Sequence, residues 1–159
     1  MYVPLRYIIQ VIPVNLDKLN GLTIKNNAFL ATLDPQTDIS LKIVRNFGTA
    51  CFGGQGLLLN RLKGNGWVFL NAAGTVLHKQ LGPGEKLIVD TNSLVAFENT
   101  CEYEIQSTGG MGMVCCGGEG FFNTAMTGPG LVIVQSMSLE KMRQAIGTRA
   151  RSSSNNDDD

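Results

Sequence analysis

The residues of this chain whose type and spacing most readily suggest chemistry are its glycines. Gly53, Gly54 and Gly56 make one Gly-Gly-x-Gly cluster, and Gly117, Gly118 and Gly120 make another. The backbone amides of such a loop hold a phosphate when the loop opens a helix, because the N–H groups of the first turn face the anion. Both clusters here run instead into apolar, strand-like sequence, and neither is followed by Gly-Lys-Ser or Gly-Lys-Thr. The spacing predicts structural turns and no cofactor.

Other chemistries fail for want of ligands. His78 is the only histidine in 159 residues, so a cupin-type metal centre, which needs several imidazoles and carboxylates, cannot be assembled. Cys51, Cys101, Cys115 and Cys116 show no CxxC spacing, and Cys115 and Cys116, as neighbours on a strand, point to opposite faces. The four read as buried thiols that pack as small hydrophobes, and His78, within TVLHKQL, reads as an exposed or rim strand position. A serine nucleophile would have to enlist His78 with a carboxylate such as Asp90, and the chain has no Gly-x-Ser-x-Gly elbow. The expectation is no metal and no enzymatic activity.

Binding to nucleic acid calls for a basic stripe interleaved with aromatics. Thirteen Lys and Arg balance 13 Asp and Glu, which leaves no net field to steer an anionic partner and argues against nucleic acid. Arg61, Lys63 and Trp67 come nearest to such a track, with Lys42 and Arg45 on a nearby strand. Arg61 and Lys63 are retained as contact candidates beside the commoner reading of a solvated strand face. Trp67 is expected in the core, because it aligns with Leu131 in the internal match below.

These residues need strands to position them. Nineteen glycines, few aromatics and short β-branched runs are the composition of one all-β domain rich in turns. ISLKIVR, residues 39–45, sets Ile39, Leu41 and Ile43 against Ser40, Lys42 and Val44, the alternation of a half-buried strand, and CEYEIQS does the same with Cys101, Tyr103 and Ile105. WVFL, KLIV and LVIVQ are continuously apolar, which predicts strands covered on both faces. They follow Gly64-Asn65-Gly66, Gly82-Pro83-Gly84 and Gly128-Pro129-Gly130, and in the last two proline presets φ and the next glycine accepts a positive one.

The chain also matches itself. Residues 53–70 lie on residues 117–134 without a gap at an offset of 64, pairing Gly53, Gly54, Gly56, Gly64, Gly66 and Val68 with Gly117, Gly118, Gly120, Gly128, Gly130 and Val132. Residues 11–31 lie on 76–96 at an offset of 65, with Leu22 on Leu87 and Ala31 on Ala96. A repeat of roughly 64 residues follows, with copies at about 1–50, 51–114 and 115–137 that share one core. Ser138 is placed to cap a short helix over 139–146 that Gly147 ends, closing a single domain of 1–147; the polar tail 148–159 reads as disordered. No window reaches the roughly 18 apolar residues of a membrane span, and the first 20 residues carry neither a signal-peptide nor a presequence pattern.

VIPVNLDKLNGLTIKNNAFLAT, GGQGLLLNRLKGNGWVFLNAAGTVLHKQLGPGEKLIVD and, most specifically, GGEGFFNTAMTGPGLVIVQSMSLEKM resemble the altered inheritance of mitochondria protein 24 family of the TRAP-like superfamily, from about Ile8 to Gly147. The resemblance implies an all-β fold of double-stranded β-helix or sandwich-like units without a catalytic residue set. It also implies a mitochondrial protein linked to the inner membrane and its cristae-organising and respiratory assemblies; the alternative location is the cytoplasm. Family members carry an N-terminal strand, Pro-Gly-Glu, strand segment similar to LGPGEKLIVDTNSLVAFE. On the repeat arithmetic that segment is expected to close three equivalent units into a ring, and without it strand edges stay open unless another subunit covers them.

The function expected from these readings is a structural scaffold that self-associates or meets other protein subunits through β edges, in an assembly peripheral to a membrane. The alternative is a ring-forming module for a small ligand or single-stranded RNA.

Overall fold

The computed structural model describes residues 9–44, 57–107 and 122–138. In them lie β1 (Ile9–Asn15), β2 (Leu22–Lys25), β3 (Phe29–Thr32), β4 (Asp38–Val44), β5 (Leu57–Lys63), β6 (Trp67–Leu81), β7 (Lys86–Asp90), β8 (Leu94–Glu98), β9 (Glu102–Ser107), β10 (Phe122–Thr127) and β11 (Gly130–Met137). Helix is confined among the described residues to two 3-10 turns, Leu16–Lys18 and Asn26–Ala28, and no described helix is long and apolar enough to cross a membrane. The fold is β, as the composition predicts.

All pairings are antiparallel. One curled sheet runs β1-β6-β11-β8-β2-β5-β4, with β3 also paired to β6, and a smaller one runs β7-β10-β9. The organising strand is β6, 15 residues long. Its first half lies between β1 and β3, with Asn15 opposite Trp67 and Thr32 opposite Val68. Its second half lies along β11, with Gly130 opposite Leu81.

Two apolar clusters hold these layers together. The first gathers Ile12, Leu22, Ile24, Leu62, Val68, Leu70, Val95, Ala96 and Ile133 from the long sheet. The second packs Met126, Leu87, Val89, Tyr103 and Ile105 of the small sheet on Leu81, Leu94, Phe97 and Val132. Phe97 and Tyr103 meet with ring centroids 5.0 Å apart, tilted at 56°. The alternation read in β9 is present: Tyr103 and Ile105 turn inward, while Glu102, Glu104 and Gln106 face out.

Three burial expectations are corrected. In KLIV, read as covered on both faces, Ile88 is 64% exposed, because β7 is an edge strand with β10 as its one partner. In ISLKIVR, Leu41 is 59% exposed: β4 is also an edge, and its apolar face runs past both clusters. Trp67, expected in the core, is 45% exposed, since it opens β6 at the rim beyond the last β3 pair, Thr32 with Val68. The copy boundaries at 50/51 and 114/115, the helix over 139–146 and the tail 148–159 lie outside the described residues.

Candidate functional site

Pro83-Gly84 turns the chain from β6 into β7: Glu85 N–H donates to the Gly82 carbonyl at 3.1 Å, and Gly84 takes φ 74°, the conformation a Pro-Gly turn requires. Gly128-Pro129-Gly130 returns the chain from β10 in the small sheet to β11 in the long one. The two turns are tied together, with Gly84 N–H donating to the Gly128 carbonyl (3.2 Å) and Gly128 N–H to that of Glu85 (2.9 Å). At Gly130, φ is 145° and a Cβ would press against Cys101 Sγ and Thr100 Oγ1, so glycine is required there. In Gly64-Asn65-Gly66, between β5 and β6, Gly66 N–H donates to Asp17 Oδ1 at 2.8 Å.

An anion cradle needs amides aimed at open space. Those of Gly66, Gly82, Gly84 and Gly128 all donate to the chain's own oxygens, so these glycines act as corners. Gly53, Gly54, Gly56, Gly117, Gly118 and Gly120 lie outside the described residues, as do Cys51, Cys115 and Cys116. Beside the Pro83 turn, Glu85 accepts from Gly82 N–H at 2.8 Å and meets Lys79 Nζ at 2.7 Å. The bond from Lys79, then that from Gly82, hold the Glu85 carboxyl below its usual range.

The remaining sequence candidates scatter. Arg61 and Lys63 share a face of β5 by their spacing. Arg61 is half-buried between Thr23 and Ser40, with its Nε out of contact with solvent and without a hydrogen-bond acceptor, whereas Lys63 is exposed opposite Asp38. His78 is exposed on β6, as read. Cys101 is a buried free thiol whose pKa is raised by burial first and by the nearby Glu98 carboxylate second. Among the described residues, no three His, Cys, Asp or Glu side chains are grouped to hold a metal ion.

One small pocket, about 50 Å³, opens beside Asn27, Asn71 and Asn92. Its polar wall includes Gln135, whose amide is already engaged: Oε1 accepts from Ala73 N–H at 2.9 Å and Nε2 donates to the Asn92 carbonyl at 3.3 Å. A volume of that order holds a few waters and falls well below the several hundred Å³ of an organic ligand site.

What the architecture leaves available is strand edge. β2 is closed on both sides, by β5 and β8. Across the β2–β8 joint, Leu22 stands opposite Glu98, Thr23 opposite Phe97 and Ile24 opposite Ala96. Polar ties seal it: Glu98 accepts from Asn20 N–H and Nδ2 (3.1 Å each) and from Leu131 N–H (3.2 Å), and Thr23 Oγ1 donates to Asn99 Oδ1 at 2.6 Å. Thr23 is 4% exposed as a result. By contrast β3 pairs with β6 on one side, β7 pairs with β10 on one side, and neither has a second neighbour among the described residues. Large apolar side chains stand at those two edges: Leu30 is 47% exposed, Leu33, next after β3, 67%, and Ile88 as above. An edge strand flanked by exposed apolar side chains is a template for another strand.

Sequence reasoning singled out none of Glu98, Leu33 and Ile88. A signal for Glu98 was present: a carboxylate ends the wholly buried run LVAFE, where only hydrogen-bond donors make it tolerable.

Residues 3–137 match the family described as Mitochondrial biogenesis AIM24. The chain is similar in fold to the crystal structure of a protein from Streptococcus pyogenes, with a TM-score of 0.71 and 24% identity, covering 88% of this chain and 60% of that one. It thus spans about 60% of that protein's length, and at this identity the likeness concerns the fold alone. No curated protein matches the chain.

Proposed function

Because the chain belongs to the Mitochondrial biogenesis AIM24 family, we propose that it serves mitochondrial biogenesis as a non-enzymatic scaffold, joining copies of itself and other subunits through its sheet edges. The observation that carries this reading is that several strands, β3 and β7 among them, have one neighbour among the described residues, and that Leu30, Leu33 and Ile88 stand exposed at those two edges. A sheet edge binds by continuing its own hydrogen-bond ladder, a chemistry that needs no catalytic group. On this reading the chain is a duplicated β unit whose glycine turns fix strand direction, and it works in mitochondria, peripheral to the inner membrane.

The test is fractionation of cells expressing the full chain, followed by in-situ cross-linking and mass determination of the species that contain it. Recovery with mitochondria in a complex larger than the monomer is expected. A cytosolic monomer would sink the proposal, and salt-dependent retention of single-stranded RNA, or a thermal shift with free tryptophan, would replace it by the binding reading.

A further inference from the structure

The ladders of this fold come in two matching sets. β5 lies between β2 and β4, and β10 lies between β7 and β9. Leu22 stands opposite Leu62 in the first set, and Leu87 opposite Met126 in the second. The first half of β6 lies between β1 and β3, while β11 lies between the second half of β6 and β8. An irregularity recurs as well. β3 skips Leu30, so that Phe29 and Ala31 face Leu70 and Phe69; β8 skips Val95, so that Leu94 and Ala96 face Val134 and Ile133. These partners stand 64 or 65 places apart, the spacing at which the sequence matches itself.

The joint between β2 and β8 has no counterpart in the second set. Its equivalent would unite β7 with β3, and each of these has a single neighbour among the described residues, as β1, β4 and β9 also do. We propose that β7 of one molecule pairs with β3 of a second copy of this chain, antiparallel and in the register of the β2–β8 joint. Leu87 then stands opposite Leu33 of the second copy, Ile88 opposite its Thr32 and Val89 opposite its Ala31. This assigns the partner and the surface for the self-association proposed above, and it rests on that reading.

Burial supports the assignment residue by residue. Across the closed joint, β8 and β11 contribute Val95, Ala96 and Ile133 to the first core, and all three are fully buried. Their equivalents in the first set are Leu30 and Ala31, both exposed, and Phe69, half-buried. A second copy lays these three over the second core from the side of Val89 and Met126, as β8 and β11 lie over Ile24 and Leu62. The chemistry of the edges also differs in a directed way. Where the closed joint holds Thr23 and Glu98 with their hydrogen-bond partners, the open edges hold Ile88 and Leu33. Apolar side chains gain by burial against a neighbour and need no matching polar group from it.

The joint is heterologous, since each molecule presents β7 to one neighbour and β3 to the other. Association therefore runs head to tail, closing into a ring or extending. That property provides the experiment. Ile88→Lys blocks one edge and Leu33→Lys blocks the other, each at an exposed position, and far-UV circular dichroism and thermal melting check that each variant keeps its fold. Sedimentation of the full chain is expected to show assemblies larger than the monomer. Each variant alone is expected to self-associate at least about tenfold more weakly, the loss that follows from one large apolar side chain no longer buried. An equimolar mixture is expected to form a one-to-one dimer and nothing longer, since each variant keeps one intact edge. Photo-cross-linking from benzoylphenylalanine at position 88, in a mixture of labelled and unlabelled chains, is expected to link to the segment holding Thr32 of another copy. Variants that assemble as the unmodified chain does, or cross-links that land elsewhere, overturn this joint and leave self-association standing. A full chain that stays monomeric at every concentration overturns both.

Discussion

Strands β2 and β7 have the same surroundings on one side and opposite surroundings on the other. Each lies antiparallel beside the middle strand of a three-strand run, β5 or β10, and each turns two aliphatic side chains, Leu22 and Ile24 or Leu87 and Val89, toward a core. Beyond β2 stands β8, and Thr23 between its two aliphatics is buried; beyond β7 no described strand stands, and Ile88 in the same place is exposed. The apolar residue is thus the exposed one. The comparison teaches that burial in this fold is set by whether a further strand arrives, and only weakly by what a strand itself carries.

The sharpest way to break the comparison is to truncate one residue on each strand. Ile24→Ala is expected to cost about 2–5 kcal/mol, the range for emptying a fully buried aliphatic position. In chemical denaturation of the monomer, Ile88→Ala should stay within about 0.5 kcal/mol, as exposed substitutions do. Similar losses at the two sites would show that the edge at β7 is covered in the monomer.

Gly130→Val probes the turn that feeds β11 into the closed side. The added branched side chain meets Cys101 Sγ and Thr100 Oγ1 in a conformation unsuited to valine, and a loss on the order of 1–3 kcal/mol in thermal or denaturant unfolding is expected. Unchanged melting would count against the geometry of that turn.

Glu98 and Leu33 occupy equivalent places, one sealing a joint and one waiting at an edge. Glu98→Ala removes the acceptor of Asn20 and Leu131, and a buried donor left unsatisfied costs about 1–3 kcal/mol. Leu33→Ala should leave monomer stability unchanged while weakening any self-association, a split readable by denaturation and sedimentation on the same samples.

The smallest effect concerns Glu85, at the turn that leads into the open strand. Its carboxyl titrates below the usual range when folded, chiefly through Lys79. The contribution is therefore fully present above the pKa of an unfolded glutamate and is lost as pH falls through the lower, folded value. Glu85→Gln should melt slightly below the unmodified chain at neutral pH, and the gap should close on acidification. A gap that widens in acid would contradict the assignment.

Much of this fold is legible in the sequence where the determining chemistry is local. Pro83-Gly84 turns the chain because of its own φ preferences, and the alternation of CEYEIQS places Tyr103 and Ile105 inside without reference to any neighbour. The family, too, is carried by contiguous motifs. Ile88 and Trp67 escape the same reading, because a continuously apolar run says that burial is possible and says nothing about which strand arrives to provide it. Glu98 escapes for the complementary reason: the donors that satisfy it come from Asn20 and Leu131, far away along the chain. The site candidates fared by the same rule. The amides of Gly66, Gly82, Gly84 and Gly128 are engaged close to their turns, whereas the strand edges emerge only from the pairing map.

The length of β6 bears on how this chain comes to be folded. Its first half can settle between β1 and β3 as soon as residues 67–73 have been made, but among the described residues its second half gains its partner only when residues 130–137 exist. Both cores draw on this one strand, through Val68 and Leu70 in the first and Leu81 in the second. Contacts between segments so far apart in the chain must close before they repay the entropy of closing. A ribosome making this protein therefore carries, for the interval between those two stretches, a strand whose later half still waits for β11.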